Sequence, residues 1–78
     1  MKEFIEYLVK QIVENSDSVV VTMNEDLGTD VYTIEAHPND MGLLIGKGGK
    51  TIRSIREMVK AKAIKDRVRV SVTIKDDI

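Results

Sequence analysis

The sequence predicts an α+β fold: a two-layer sandwich in which a three-stranded sheet is covered by three helices, in the order α-β-β-α-α-β. Three observations carry this expectation. Residues 3–14 and 50–64 repeat apolar side chains at helical spacing. Two β-branched runs, 18–24 and 31–36, flank a turn-rich segment. Residues 67–74 alternate between polar and apolar, as a half-buried strand does. At 78 residues, 1–78 is expected to form a single domain.

The elements follow in order. Phe4, Ile5, Leu8, Val9, Ile12 and Val13 form one helical stripe, with Glu3, Glu6, Lys10, Gln11 and Glu14 outside it. Asn15-Ser16-Asp17-Ser18 ends this helix, because short polar side chains compete for backbone hydrogen bonds. Ser18 to Asn24 reads as a strand, Glu25 to Asp30 as a hairpin loop with Gly28 available for positive φ, and Val31 to Ala36 as a second strand. His37-Pro38 closes it, since proline cannot continue a ladder. Asn39 or Asp40 caps a short helix over Met41–Ile45, which Gly46-Lys47-Gly48-Gly49 breaks.

The third helix starts near Lys50 or Thr51 and runs to about Ile64. Its buried stripe is Ile52, Ile55, Val59 and Ala63 with Met58 alongside; Lys50, Arg53, Arg56 and Lys60 share another face. Lys65-Asp66 is the turn, and Val68, Val70, Val72 and Ile74 then alternate with Arg67, Arg69, Ser71 and Thr73. Residues 75–78 are expected to fray. There is no internal repeat, linker or low-complexity segment.

Composition removes several function classes. No cysteine means no disulfide and no thiolate nucleophile. The single histidine, His37, excludes most hydrolytic triads and histidine-ligated metal sites, and reads as a solvated strand end. Aromatics are only Phe4, Tyr7 and Tyr32, too few for a surface that stacks bases. Met23, Met41 and Met58 read as core fillers, and Glu25, Asp26 and Asp30 as a solvated hairpin tip without calcium-loop spacing. No carboxylate pair or nucleophile has recognisable spacing, so no enzyme, cofactor, metal or small-molecule substrate is expected. The longest apolar run is Val19-Val20-Val21, so no membrane span is expected. The acidic, amphipathic start does not read as an export signal, and the cytoplasm is the expected location.

The net charge of −1 conceals a split. Residues 1–45 carry two lysines against nine acids, a net of −7; residues 46–78 carry ten Lys/Arg against four acids, a net of +6. Such asymmetry suits a surface that meets an anion.

The boundary between the two halves falls within Leu43-Leu44-Ile45-Gly46-Lys47-Gly48-Gly49-Lys50-Thr51-Ile52. Three glycines within four residues let a backbone approach a ligand closely, and the helix that follows adds unpaired N–H groups. Lys47 and Lys50 add full charges, which makes this a site for a phosphate chain. It is not a P-loop: Gly49-Lys50-Thr51 supplies the end of that motif, but Leu44 occupies its first position. Nor is it a dinucleotide fingerprint, whose third glycine falls on Thr51. The pattern that fits is Ile-Gly-x-x-Gly-x-x-Ile, filled by Ile45, Gly46, Gly49 and Ile52.

With a helix on each side, a basic x pair and a strand after, this motif resembles that of a KH domain. The element order is similar to the type II, prokaryotic arrangement. The resemblance covers the whole chain, and the length with the Ile-Gly-Lys-Gly-Gly-Lys-Thr-Ile run resembles the small single-domain bacterial KH family of the KhpA type. It implies single-stranded RNA binding, with the loop clamping the backbone of about four nucleotides. Carried over, Gly46, Lys47, Gly48 and Gly49 would hold phosphates, and Ile45 and Ile52 would pack under the loop and edge the groove. Thr51 completes the loop segment, and Lys50, Arg53 and Arg56 match the basic positions that follow, Arg53 being the choice for a direct contact. The second strand, Val31 to Ile34, would supply the groove's far wall. The resemblance further implies an RNA chaperone or post-transcriptional regulator that pairs with itself or with a second, KhpB-type protein. The competing reading is a protein-interaction module that keeps the fold but binds little RNA.

Overall fold

The computed structural model describes residues 1–75. Its elements are α1 (Lys2–Lys10), β1 (Val20–Asp26), β2 (Thr29–Glu35), α2 (Met41–Ile45), α3 (Lys50–Asp66) and β3 (Val70–Ile74), joined in part by 3-10 turns at Ser16–Ser18, Pro38–Asp40 and Lys47–Gly49. The order is therefore α-β-β-α-α-β. The sheet runs β1-β2-β3, with β1 antiparallel and β3 parallel to the central β2. Parallel neighbours require a crossover, and here α2, the glycine turn and α3 are that crossover.

All three helices cover one face of the sheet. Ile5 and Val9 of α1, Leu44 of α2 and Ile55 and Val59 of α3 meet Val21, Tyr32, Ile34 and Val72 in one core. Each large side chain buried there is worth roughly 1.5–3 kcal/mol relative to exposure. The opposite face is mixed: Val20 and Val31 lie on it together with a threonine ladder in register, Thr22 opposite Thr33 and Thr33 opposite Thr73.

Element boundaries differ from the sequence expectation where local chemistry intervenes. The first helix ends at Lys10, short of Glu14. Ile12 and Val13 both donate to the Val9 carbonyl, at 3.0 and 3.2 Å, so a tightened turn carries the apolar stripe onward. The hairpin loop is two residues, not six: Asp26 pairs with Thr29, and Leu27 and Gly28 both adopt positive φ (51° and 83°). Positive φ at both central residues is what a type I′ turn requires. The third helix runs on to Asp66 and stops in a Schellman motif. Arg67 is left-handed (φ 59°) and donates to Ile64, while Val68 donates to Ala63. Arg67 and Val68 therefore belong to the cap, and β3 begins at Val70.

The methionines are less buried than expected, with Met23 and Met58 exposed and Met41 at the core's edge. Of the expected frayed tail, Lys75 is described and is tied down. Its N–H reaches the Ile34 carbonyl at 2.8 Å and its Nζ lies 3.8 Å from Glu35. The rest of that expectation, residues 76–78, lies outside the described residues.

Candidate nucleic-acid interface

The site grows out of the chain break after α2. The Gly46 N–H closes that helix on the Gly42 carbonyl at 2.9 Å, and Gly46 then takes φ 77°, ψ 168°, a region essentially restricted to glycine. A Cβ there would meet the Thr51 backbone nitrogen at 2.8 Å. The chain packs this closely because the next helix begins directly beneath the turn. Gly49 N–H donates to the Gly46 carbonyl at 3.1 Å and closes a one-turn loop. Gly48 and Gly49 are left-handed (φ 65° and 76°), and a Cβ on either would face open space. The glycines thus divide: Gly46 is needed for packing, while Gly48 leaves backbone bare on the outside.

Gly49 is the N-cap of α3 and offers no capping side chain, so the helix's first N–H groups lack a side-chain acceptor. Lys47 and Lys50 flank that end and are exposed; Arg53 and Arg56 follow along the helix, also exposed. Among the described residues, the ion pairs are Lys62–Asp66 and Lys75–Glu35. Lys47, Lys50, Arg53, Arg56 and Lys60 therefore keep their charge unneutralised by a described acid. An unfilled positive surface at a helix N-terminus is suited to phosphate.

A groove of about 530 Å³ runs between α3 and β3, lined by Arg56, Val59, Lys60, Val70, Ser71, Val72 and Thr73. Arg56 bridges its two sides, its Nε donating to the Val72 carbonyl at 3.1 Å. The wall opposite the helix is β3, not β2 as the sequence reading expected. As the central strand, β2 is paired on both sides and buries Tyr32 and Ile34, so it has no free edge to offer. Strand order is a long-range property, and nothing local to Val31–Ile34 reveals it.

The two isoleucines of the motif part company. Ile52 is 7% exposed and lies under the turn, but Ile45 is 41% exposed, the buried position being taken by Leu44. Ile45 is thus surface beside the loop rather than support beneath it. The chain brings Gly46 to Ile52 together in one turn and extends the basic row through Arg53 and Arg56. Sequence reasoning missed Val70, Ser71, Val72 and Thr73 as groove residues, and placed Lys60 on the basic face of the third helix without assigning it to a groove.

Beneath α2 sits a polar hub that the sequence reading did not anticipate. Asp40 is 1% exposed and accepts from Asn15 twice, from the backbone N–H at 2.9 Å and from Nδ2 at 3.2 Å. The backbone hydrogen bond from Asn15 outweighs burial and holds the Asp40 carboxyl below its usual range. His37 is a cap rather than a bare strand end: its Nδ1 accepts from the Asn39 N–H at 3.1 Å. Together these contacts anchor the start of α2, and with it the approach to the glycine turn.

A helix–glycine turn–helix crossover between parallel strands, preceded by a helix and an antiparallel strand, defines a KH domain of the type II arrangement. KH domains clamp nucleic-acid backbone and are not a family of enzymes. A sequence model of the "KhpA/KhpB, KH domain" matches residues 2–74, and the chain belongs to that family. It is 41% identical over 76 residues to RNA-binding protein KhpA of Clostridium perfringens, covering 95% of this chain and 99% of that one. It is 35% identical over 77 residues to RNA-binding protein KhpA of Chlamydia trachomatis, covering 99% of each. Among solved structures, Era of Aquifex aeolicus superposes with a TM-score of 0.68 at 17% identity. That match covers 97% of this chain but only 31% of the Era chain, so the likeness is one of fold over about a third of the larger protein.

Proposed function

We propose that this chain binds single-stranded RNA, with the Gly46–Gly49 turn as a backbone clamp and the α3–β3 groove as the seat for a base. The observation that carries the reading is the turn itself: Gly48 leaves its outer side bare, beside lysines that no described acid neutralises. Gly46 shapes the turn, Thr51 and Ile52 support it, and Lys47, Gly48, Gly49 and Lys50 hold phosphates. Arg53 and Arg56 continue the charge toward the groove, and Ile45 offers an apolar edge beside it. Relatives named RNA-binding protein KhpA, alignable over nearly their whole length, support the same reading.

The reading extends to residues 1–78 acting as one KH domain in the cytoplasm, as an RNA chaperone or post-transcriptional regulator. No helix of the described residues is long and apolar enough to cross a membrane. A single small site binds weakly, in the range of order 10⁻⁴–10⁻⁶ M. Pairing with a second copy or a second KH protein would raise avidity without new RNA contacts. Exposed Leu43 before the turn and Ile64 on α3 supply apolar surface for such pairing. Titration of short single-stranded RNA at several salt concentrations tests the core claim. With three or four phosphates neutralised, log Kd should change with log salt with a slope of about 2–3. A slope near zero contradicts a phosphate clamp.

A further inference from the structure

The edge of β3 carries information about which base the groove accepts. Asp30 N–H reaches the Arg69 carbonyl at 2.9 Å, and Lys75 N–H reaches the Ile34 carbonyl at 2.8 Å. Alternation along the ladder therefore turns residues 69, 71, 73 and 75 toward β2. Val70, Val72 and Ile74 turn their backbone groups to the open edge. A bare edge at Val72 would offer an N–H and a carbonyl side by side. That pair complements the adjoining acceptor and amine of adenine, whether N1 with N6 or N7 with N6.

Here the carbonyl is already engaged by Arg56 Nε. The contact takes up one of that carbonyl's two lone pairs and sets a cation beside it, which disfavours the partial positive charge of an amine there. It also fixes the guanidinium in the groove, with its two Nη groups unpaired among the described residues. A guanidinium fork donates two parallel N–H bonds, so it suits two adjacent acceptors. Guanine O6 and N7 are such a pair, and cytosine O2 and N3 have the same arrangement. Adenine places its N6 amine beside both N1 and N7, and uracil separates its two carbonyls with an N–H.

Resting on the RNA-binding reading above, we infer that Arg56 is a specificity-determining residue. It selects bases with two adjacent acceptors, cytosine or guanine, against adenine and uracil in the α3–β3 groove. Val70, only partly buried, supplies apolar surface to that seat, and Lys60 also lines it.

Fluorescence anisotropy with labelled rC8, rA8 and rU8 tests this. The wild-type chain should bind rC8 about tenfold more tightly than rA8 or rU8. Arg56→Lys keeps the charge but has no fork, and should bring the three affinities within about twofold of one another. Arg56→Gln serves as a second variant if the first melts early by circular dichroism. Lys47→Asp/Gly48→Asp should weaken all three RNAs together. Equal wild-type binding of rC8 and rA8, or a preference that survives both Arg56 variants, overturns the role of Arg56 and leaves the RNA-binding reading standing. Failure of the folded wild type to bind any octamer defeats both.

Discussion

Gly46 and Gly48 are two positions apart and do different jobs. At Gly46 a side chain meets Thr51 backbone at 2.8 Å, and the backbone itself lies where only glycine is at ease. Gly46→Ala should therefore cost about 1–3 kcal/mol in strain alone, with the clash added. Gly48 has open space around it, so Gly48→Ala should cost only the left-handed penalty, about 1 kcal/mol. Urea unfolding of the two variants separates them; equal losses would mean that the turn is not packed as described. Either loss is a sizeable fraction of the roughly 4–12 kcal/mol that a chain of 78 residues has in total.

Asp40 gives a pH-dependent counterpart. Its folded pKa lies below its ordinary value of 3.8, chiefly through the Asn15 backbone N–H. A carboxylate with a lowered folded pKa stabilises the fold above the unfolded pKa, and that contribution disappears as pH falls through the folded one. Melting temperatures of wild type and Asp40→Asn should thus differ most near neutral pH and converge below about pH 4. A gap that is the same at pH 7 and pH 3 would remove Asp40 from the acid response.

At the scale of elements, two left-handed residues that are not glycine mark where the chain accepts strain. Leu27 sits at φ 51° in the hairpin turn and is 97% exposed, so it has no packing to compensate. Leu27→Asn, with Gly28 kept, matches the type I′ preference and should stabilise by about 0.5–1 kcal/mol. For a domain of this size that raises Tm by several degrees, about 4–8 °C per kcal/mol. An unchanged or lower Tm would mean that the turn is not under strain.

The same positions explain what could and could not be read beforehand. The six main elements are legible from different signals: apolar periods announce α1, α3 (Ile52, Ile55, Val59 and Ala63) and β3 (Val70, Val72 and Ile74), β-branched runs announce β1 and β2, and a capping residue and the glycines bracket α2. The ends are not, because Leu27 and Arg67 adopt conformations in which glycine or asparagine is the usual signal. The glycine turn is legible from its spacing and charge. The groove is not, since its far wall depends on β3 lying at the sheet's edge. The Asp40–Asn15 contact joins residues 25 apart in sequence, and no local pattern foretells it.

At the scale of the whole molecule, a slightly acidic chain carries a row of exposed cations from Lys47 to Lys60. Seven of the ten cations of residues 46–78 lie on the glycine turn and α3, while Glu25 and Asp26 stand at the hairpin, exposed. Local field rather than net charge steers a phosphate chain toward a binding surface. That surface is the centre of the account, and one titration addresses it most directly. A short single-stranded RNA pool is titrated with wild type and with Lys47→Asp/Gly48→Asp, both confirmed folded by circular dichroism. Gly48 can take aspartate because its left-handed backbone tolerates that residue and its surroundings are open. Salt-dependent binding by the wild type, and its loss in the variant, are expected. Equal binding by both folded proteins would contradict that expectation, and would move the RNA site away from the glycine turn.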